Sequence, residues 1–230
     1  MKKICLLLTM IFVMVLIQAN GQQNSFSVAL SENSLHFAGA SAAPSITYST
    51  GSSNNPYGSR SDFGWGITFA MNHITTYHLF YGIELGYTGL KSKMETNKII
   101  VDGASPVDAT GKLNLHIQEI SLFPNTGYRF AINNNIKLDA GGGLEIAPVL
   151  KNREQTRVRA DNGNEYSFNK DRKNINTDIR ARVQLKLNYQ RTYLKGSYAW
   201  GCKNYLEGYI GGTTDAVSRV LSVGVGYSFF

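Results

Sequence analysis

The sequence has few cysteines and, after its N-terminal segment, no long apolar run. Only Cys5 and Cys202 occur among the 230 residues, and Cys5 falls inside the N-terminal apolar segment. A mature chain would keep one cysteine, which excludes an internal disulfide. No later stretch approaches the roughly 20 apolar residues that a transmembrane helix requires. If the chain meets a membrane, it must do so without helices.

Signs of catalytic or nucleic-acid chemistry are also scarce. The four histidines show no metal-binding spacing, and no set of nucleophile, base and carboxylate can be singled out. The net charge of +7 includes two lysines of the N-terminal segment, so a mature chain would carry +5. This excess is too small to indicate a nucleic-acid partner. We therefore predict no enzymatic activity, no catalytic residue, no metal and no cofactor.

The N-terminus has the pattern of a secretory signal. Two lysines precede an apolar segment, and small residues at its end suit signal peptidase. Residues 1–21 are therefore predicted to be a signal peptide. Residues 22–43 are left unassigned or taken as the start of the first strand, because apolar residues alternate there. Residues 44–230 are predicted to form a single β-barrel domain.

Alternation of apolar and polar residues runs through most of the mature sequence, which is the period of a β-strand. In residues 176–189, NTDIRARVQLKLNY, the charged residues share one parity and the apolar residues share the other. Seven further segments alternate in the same way, beginning with residues 44–50. The apolar parity changes once, within residues 113–130, and this change predicts a β-bulge near Glu119.

The connections between these segments differ in length. Three connections are short: residues 73–76, 132–135 and 190–192. Four are long: residues 51–61, 92–111, 152–173 and 201–218. Short turns at one end and long loops at the other are typical of outer-membrane barrels. Several segments run to roughly 12 to 16 residues, whereas strands of soluble sheets usually have about five or six.

These patterns predict an all-β fold, an eight-stranded antiparallel up-and-down transmembrane β-barrel with its apolar parity facing lipid. Tyrosine and tryptophan lie near the ends of the segments, where interfacial girdles are expected. The barrel must close, because an open sheet edge in hydrocarbon leaves backbone groups unpaired. The alternative is a secreted, soluble, lipocalin-like barrel with its apolar parity inside.

The last strand carries a further sign of the outer membrane. The chain ends in SVGVGYSFF, an alternating segment with aromatic residues at its end. This ending resembles the signal that the outer-membrane barrel assembly machinery recognises. Tyr227, Phe229 and Phe230 are the predicted assembly signal.

Longer stretches resemble the PorT-like outer membrane β-barrel family. The recurring pattern is visible in FGWGITFAMNHITTYHLFYGIELGYTGLKSK and in LNLHIQEISLFPNTGYRF. In the second stretch, Glu119 and Ile120 resemble the family's Glu-Ile-Pro, with Ser121 in place of proline. IKLDAGGGLEIAPVLK, GSYAWGCKNY and SRVLSVGVGYSFF complete a resemblance that covers roughly residues 62–230. It implies a barrel in the bacterial outer membrane and implies little about activity.

The polar parity predicts charged side chains inside the barrel. An eight-stranded barrel is just wide enough for side chains to fill it, and buried charges must be paired. We therefore predict a salt-bridged plug, with a narrow conducting pore as the alternative. The predicted members, here called the lumen network, are Glu84, Glu119, Arg129, Lys137, Asp139, Glu145, Asp178, Arg180, Arg182 and Lys186.

Function is expected in the long loops. Residues 156–169 are predicted to form a hairpin beyond the membrane, turning at Asp161, Asn162 and Gly163. The candidate binding residues in this region are Arg153, Arg157, Arg159, Tyr166 and Phe168. They could bind lipopolysaccharide or a partner protein, or could simply be solvated. The loop of residues 92–111, with its apolar stretch 99–101, is a second candidate.

The function predicted from these observations is that of a non-enzymatic outer-membrane barrel with a narrow plugged lumen. Its external loops would bind a partner or ligand. Its partners would be outer-membrane lipid, lipopolysaccharide and the barrel assembly machinery. A component of a secretion or envelope-assembly machine is the first alternative, and a narrow porin is the second.

Overall fold

The computed structural model describes residues 23–49, 57–101, 104–172, 175–207 and 215–229. The predicted signal peptide and Phe230 lie outside these ranges. No helix in the described part of the chain is long and apolar enough to cross a membrane. The strands are β1 Gln23–Ala38, β2 Ala42–Ala43, β3 Ser45–Ser49, β4 Tyr57–Gly58, β5 Arg60–Ile74, β6 Leu79–Ile100, β7 Val107–Ala131, β8 Ile136–Ala160, β9 Glu165–Asp171, β10 Thr177–Tyr189, β11 Thr192–Gly201 and β12 Val217–Ser228.

Eight strands form a closed antiparallel ring in the order β1, β5, β6, β7, β8, β10, β11, β12. The ring closes where β12 pairs with β1, with Ser27 opposite Ser228. The predicted eight-stranded up-and-down barrel is thus confirmed. The three predicted short connections lie at one end, here called the turn end. The opposite end, towards which β6, β7 and β8 extend, is called the wall end.

The ring begins before residue 44. Its first strand is β1, which lies within residues 22–43, the segment that is either unassigned or the start of the first strand in the sequence analysis. β1 pairs with both β5 and β12. Residues 44–50 contribute only β3, which lies outside the ring and pairs in parallel with the wall end of β6. The outward residues of β1 change from apolar Leu30 to charged Glu32 halfway along the strand, which interrupts its apolar alternation.

The outer surface of the turn-end half is apolar. In this half the apolar residues of the predicted alternation face outward on the strands of the ring, with Phe63 63% exposed and Val225 63% exposed. Aromatic pairs stand at two heights on this surface. Trp65 and Tyr87 lie towards the wall end with ring centroids 5.7 Å apart, and Tyr227 and Phe229 lie at the turn end, 5.5 Å apart. A band of this kind matches the lipid-facing surface of a membrane barrel.

The polarity of the two faces inverts towards the wall end. On β7 the same parity stays inward throughout, from Leu113 to Asn125, but its residues change from apolar to polar at Glu119. The change of apolar parity in the sequence therefore arises because the barrel interior changes from apolar to polar. The side chains of β7 do not change the face to which they point. A register shift does lie next to Glu119, as predicted, but the extra residue is Leu150 on β8. Beyond Leu150 the two faces of β8 exchange sides.

Inside the wall end the barrel has an apolar core, here called the cap cluster. Leu113, Leu115 and Ile117 of β7 are almost completely buried in it. Three aromatic rings from different parts of the chain join them, since Phe37 lies 4.5 Å from Tyr57 and 4.9 Å from Tyr205 between centroids. Burial of these side chains removes apolar surface from water and stabilises the wall end.

Beyond the cap cluster, part of the ring continues as a tall curved sheet, here called the wall. It consists of β3, the wall-end parts of β6, β7 and β8, and β9. Its inner face carries a second apolar cluster, formed by Ile99, Ala109, Val158 and Ala160. The rings of Tyr48 on β3 and Phe168 on β9 stack 5.1 Å apart, so the two edges of the wall curl towards each other.

Candidate functional site

Arg180 is the centre of the charged interior. β10 places it inward with its side chain 1% exposed, and the barrel surrounds it with three carboxylates. Its Nη1 and Nη2 donate to the two oxygens of Glu119, at 2.7 and 2.5 Å. Nη1 also donates to Glu145 at 2.8 Å, and Nε donates to Asp178 Oδ2 at 2.8 Å. The fork geometry of guanidinium suits such bidentate pairing.

A second cation continues the network towards the turn end. Arg182 donates to Glu145 at 3.2 Å and to Glu84 at 3.1 Å. Lys195, which the alternation also places inward, donates to the same Glu84 oxygen at 3.1 Å. Arg182 further lies over the ring of Phe123, 4.3 Å from its centroid. Six members of the predicted lumen network therefore form one connected set of ion pairs.

The remaining predicted members lie nearer the turn end and form separate contacts. Arg129 binds Asp139 through two bonds of 2.6 and 2.7 Å. Lys186 lies over the ring of Tyr193, 4.0 Å from the centroid, and makes no ion pair with a described residue. Lys137 lines a vestibule of about 240 Å³ at the mouth of the barrel. All ten predicted residues face the interior, but they do not form one cluster.

The contacts that bound the network towards the wall end were not predicted from the sequence. Asp178 Oδ2 also accepts hydrogen bonds from Tyr205 at 2.9 Å and from Ser218 at 2.6 Å. Tyr205 belongs at the same time to the cap cluster, so the charged and apolar layers are joined by its hydroxyl group. Tyr205 lies in an irregular connection, where no alternation indicates the direction of a side chain.

Little empty space remains between these layers. A cavity of about 30 Å³ lies among Glu119, Arg180 and Arg182, which is room for one or two water molecules. Above it, the buried side chains of Leu35, Leu90 and Leu115 belong to the cap cluster. Going towards the wall end, the lumen is therefore filled by paired charges and beyond them by apolar side chains.

The wall contains a buried ion pair that the sequence did not predict. Arg172 donates to Glu154 through Nε at 2.8 Å, and the guanidinium group lies 5.0 Å from the ring centroid of Tyr57. Glu154 faces inward because of the face exchange at Leu150. Burial, and next the Glu154 carboxylate, raise the pKa of Tyr48. The pair fixes the segment after β9 against the inner face of the wall.

The predicted hairpin is confirmed, but its candidate residues are divided between two faces. β8 and β9 pair up to Arg159 and Glu165, and Gly163 occupies the turn with a φ of 87°. The three arginines, Arg153, Arg157 and Arg159, point outward. Tyr166 and Phe168 pack against the second apolar cluster. The five residues therefore do not form one binding surface.

Together these features define the class of protein, an eight-stranded antiparallel up-and-down transmembrane β-barrel. No protein-family model and no curated protein matches the chain. Among solved structures it is similar to Ail, the attachment invasion locus protein of Yersinia pestis. That match has 13% identity and a TM-score of 0.38, and it covers 92% of this chain and 100% of the other.

A second similar structure is Neisserial surface protein A. The identity is 17% and the TM-score 0.40, with 90% of this chain and 99% of the other covered. The translocator domain of the autotransporter NalP from Neisseria meningitidis matches with a TM-score of 0.26 at 10% identity, covering 96% and 93%. Values at this level carry no functional argument, so the class rests on the closed ring and its surface. The resemblance to PorT-like barrels stays a prediction.

Proposed function

We propose that the protein is a closed, non-enzymatic barrel of the bacterial outer membrane that binds an envelope component through its wall. The observation that carries this proposal is the contrast between the two ends of the barrel. The lumen is filled by the Arg180 ion pairs and the cap cluster, whereas the wall extends two of the longest strands, β7 and β8, beyond the lipid-facing band.

The outer-membrane location is supported by the apolar outer face. Side chains such as Leu30, Phe69 and Leu185 are more than half exposed, and water would make this band strongly unfavourable. Closure of the ring leaves no open edge in that band, as hydrocarbon requires. Phe229, which follows β12, is exposed at the turn end, where an assembly signal would be accessible.

A plugged lumen is supported over a narrow porin by the cap cluster. An ion that passed Arg180 would next meet buried Leu115, Ile117 and Phe37, which offer it no polar partner. The carboxylates of the lumen are also occupied by cations, and this argues against their use as catalytic acids or bases.

Planar-bilayer recordings test the plug. Purified full-length protein whose insertion has been verified should give no discrete conductance steps. Steps that recur at one amplitude, and that change with Arg182→Gln, would overturn the plugged lumen in favour of the porin.

Site-specific photo-crosslinking in cells tests the wall. A photoreactive residue at outward Gln155 should give a reproducible adduct with an envelope component, identified by mass. The matched control is the next position, Thr156, which is completely buried and should give none. A lipid adduct supports lipid binding, and a protein adduct supports the secretion or assembly machine. If neither Gln155 nor Lys93 gives an adduct, the wall is not a binding surface.

A further inference from the structure

The outer face of the wall carries five cations without an ion-pair partner in the described part of the chain. Each of them has at least one buried neighbour on β6, β7 or β8 and itself points outward. We call them the basic face: Lys91, Lys93, Lys112, Lys151 and Arg157.

The strand register places these cations close together. Lys112 lies directly opposite Arg157, and Lys93 lies diagonally from Lys112, because its own opposite residue is Asn114. Directly opposed residues are separated by about 5 Å and diagonal ones by about 7 to 8 Å. A single anionic group can therefore contact two or three of the cations at once.

The acidic residues around this face already have partners. Glu95 on β6 lies directly opposite Lys112 but forms its ion pair with Arg60, and Asp171 binds Arg153 at 3.0 Å. Asp62 lies opposite Lys91 without an ion pair to it in the described part of the chain, and its Oδ1 accepts the backbone N–H of Phe63. The cations of the basic face thus remain available to an external anion.

A merely solvated face would be the simplest explanation, but the pairing argues against it. Like charges directly opposite each other on neighbouring strands destabilise a sheet. Lys112 and Arg157 oppose each other in the middle of the wall. Charges at the edges of a sheet protect it against strand addition, but this pair does not lie at an edge. An anion bound between the two side chains would remove the repulsion.

The position of the basic face relative to the lipid-facing band indicates which anion is nearby. Lys151 immediately follows Leu150, which is 57% exposed and is the last outward apolar residue of β8. The polar headgroup layer extends about 5 to 7 Å beyond the hydrocarbon on each side of a bilayer. Successive outward residues of a strand are about 7 Å apart, so the face begins at headgroup height and rises above it.

We propose that the basic face binds the phosphate groups of glycolipid headgroups in the leaflet that surrounds the barrel. Lysine ammonium groups and the Arg157 guanidinium supply charge-assisted hydrogen bonds to phosphate oxygens. A saccharide headgroup is favoured over a simple phospholipid because the face is taller than a phospholipid headgroup. This inference rests on the proposed membrane location and names the envelope component.

The test uses the full chain in neutral detergent micelles, titrated with a diphosphorylated lipid A probe and followed by native mass spectrometry. Lys112→Gln/Arg157→Gln should weaken binding by about tenfold or more, because two cations that form charge-assisted hydrogen bonds to phosphate are removed. The control variant, Arg191→Gln/Lys203→Gln, removes the same two residue types away from the face and should bind like the wild type. The dephosphorylated probe should bind neither the wild type nor any of the variants.

Four results would overturn the proposal. One is equal binding by wild type and Lys112→Gln/Arg157→Gln, and another is equal binding of the dephosphorylated probe. The third is complete displacement of the probe by a soluble sulfated polysaccharide at the same charge concentration, which would identify a soluble polyanion as the ligand. A lower thermal midpoint of the double variant in neutral micelles would also contradict it, since the cations would then be structural. The bilayer recordings are independent of all these results.

Discussion

Arg180 holds three carboxylates in a place that water hardly reaches. We expect Arg180→Gln to lower the free energy of unfolding by about 3–5 kcal/mol, because Glu119, Glu145 and Asp178 would keep buried charges without their main cation. Urea unfolding in micelles measures the effect. Arg191→Gln removes the same charge from an exposed turn and should change little. Equal midpoints for Arg180→Gln and wild type would contradict a stabilising network.

His116 gives the wall a predicted pH dependence. It faces Lys91 on β6, Arg153 on β8 and, further away, Asp62 on β5. Burial, and next the Lys91 charge, lower its pKa from the ordinary 6.5, whereas Asp62 opposes the shift. The unfolded chain therefore binds more protons than the folded chain just below pH 6.5, so stability falls as the pH falls.

The measurement is the unfolding midpoint of wild type and of His116→Gln between pH 5 and pH 7. The wild type should lose stability on acidification relative to the variant, and the difference should level off below the lowered pKa. Parallel curves for the two proteins would show that His116 does not titrate differently in the folded state.

Individual residues could be predicted from the sequence wherever alternation fixed their direction. The inward positions of Glu84, Glu119 and Arg180 follow from period two alone. The contacts of Tyr205 and Arg172 do not, because both residues lie outside regular strands and their neighbours come from distant parts of the chain. Tyr166 and Phe168 were assigned to a binding surface because their inner-face partners could not be identified from the sequence.

Among the elements, β6, β7 and β8 fit together through an exchange of large and small residues. Phe80 is the one aromatic residue that breaks the outward parity of β6, and its ring fills the space left by Gly127 and Gly141. A methyl group on Gly141 would lie 2.7 Å from Phe80 Cζ and 2.7 Å from the Thr126 carbonyl oxygen. Glycine is therefore required there by close packing.

We expect Gly141→Ala to destabilise the barrel by about 1–3 kcal/mol through overpacking. Gly196 is the matched control, because it also lies within a strand but has nothing within 4 Å of an added methyl group. Gly196→Ala should be neutral or slightly stabilising. The ratio of folded to unfolded bands after a urea series compares the two, and an equal loss in both variants would contradict the packing argument.

The strand boundaries show why part of the fold was predicted wrongly. The parity change in residues 113–130 correctly marked the position of a register shift, but the same pattern arises when a strand passes from a polar to an apolar interior. Leu150, the extra residue, lies on the neighbouring strand, where it breaks no obvious pattern. β1 could be predicted only as one of two alternatives, because its outward face changes from lipid to water at Glu32.

For the whole molecule, we expect heat-modifiable migration. A closed barrel held by ring-wide backbone pairing should stay folded in mild detergent and run faster on a gel than the boiled chain. Arg180→Gln should convert to the slower form at a lower temperature than the wild type. Identical migration of boiled and unboiled protein would instead favour the soluble lipocalin-like alternative.

The unequal heights of the strands give the barrel a front and a back in the plane of the membrane. β6 to β9 rise on one side, whereas β11 ends at Gly201 and β12 begins only at Val217 on the other. The two sides therefore present different surfaces above the lipid. An approaching molecule meets the basic face on the tall side, whereas the ring strands of the low side end below that height.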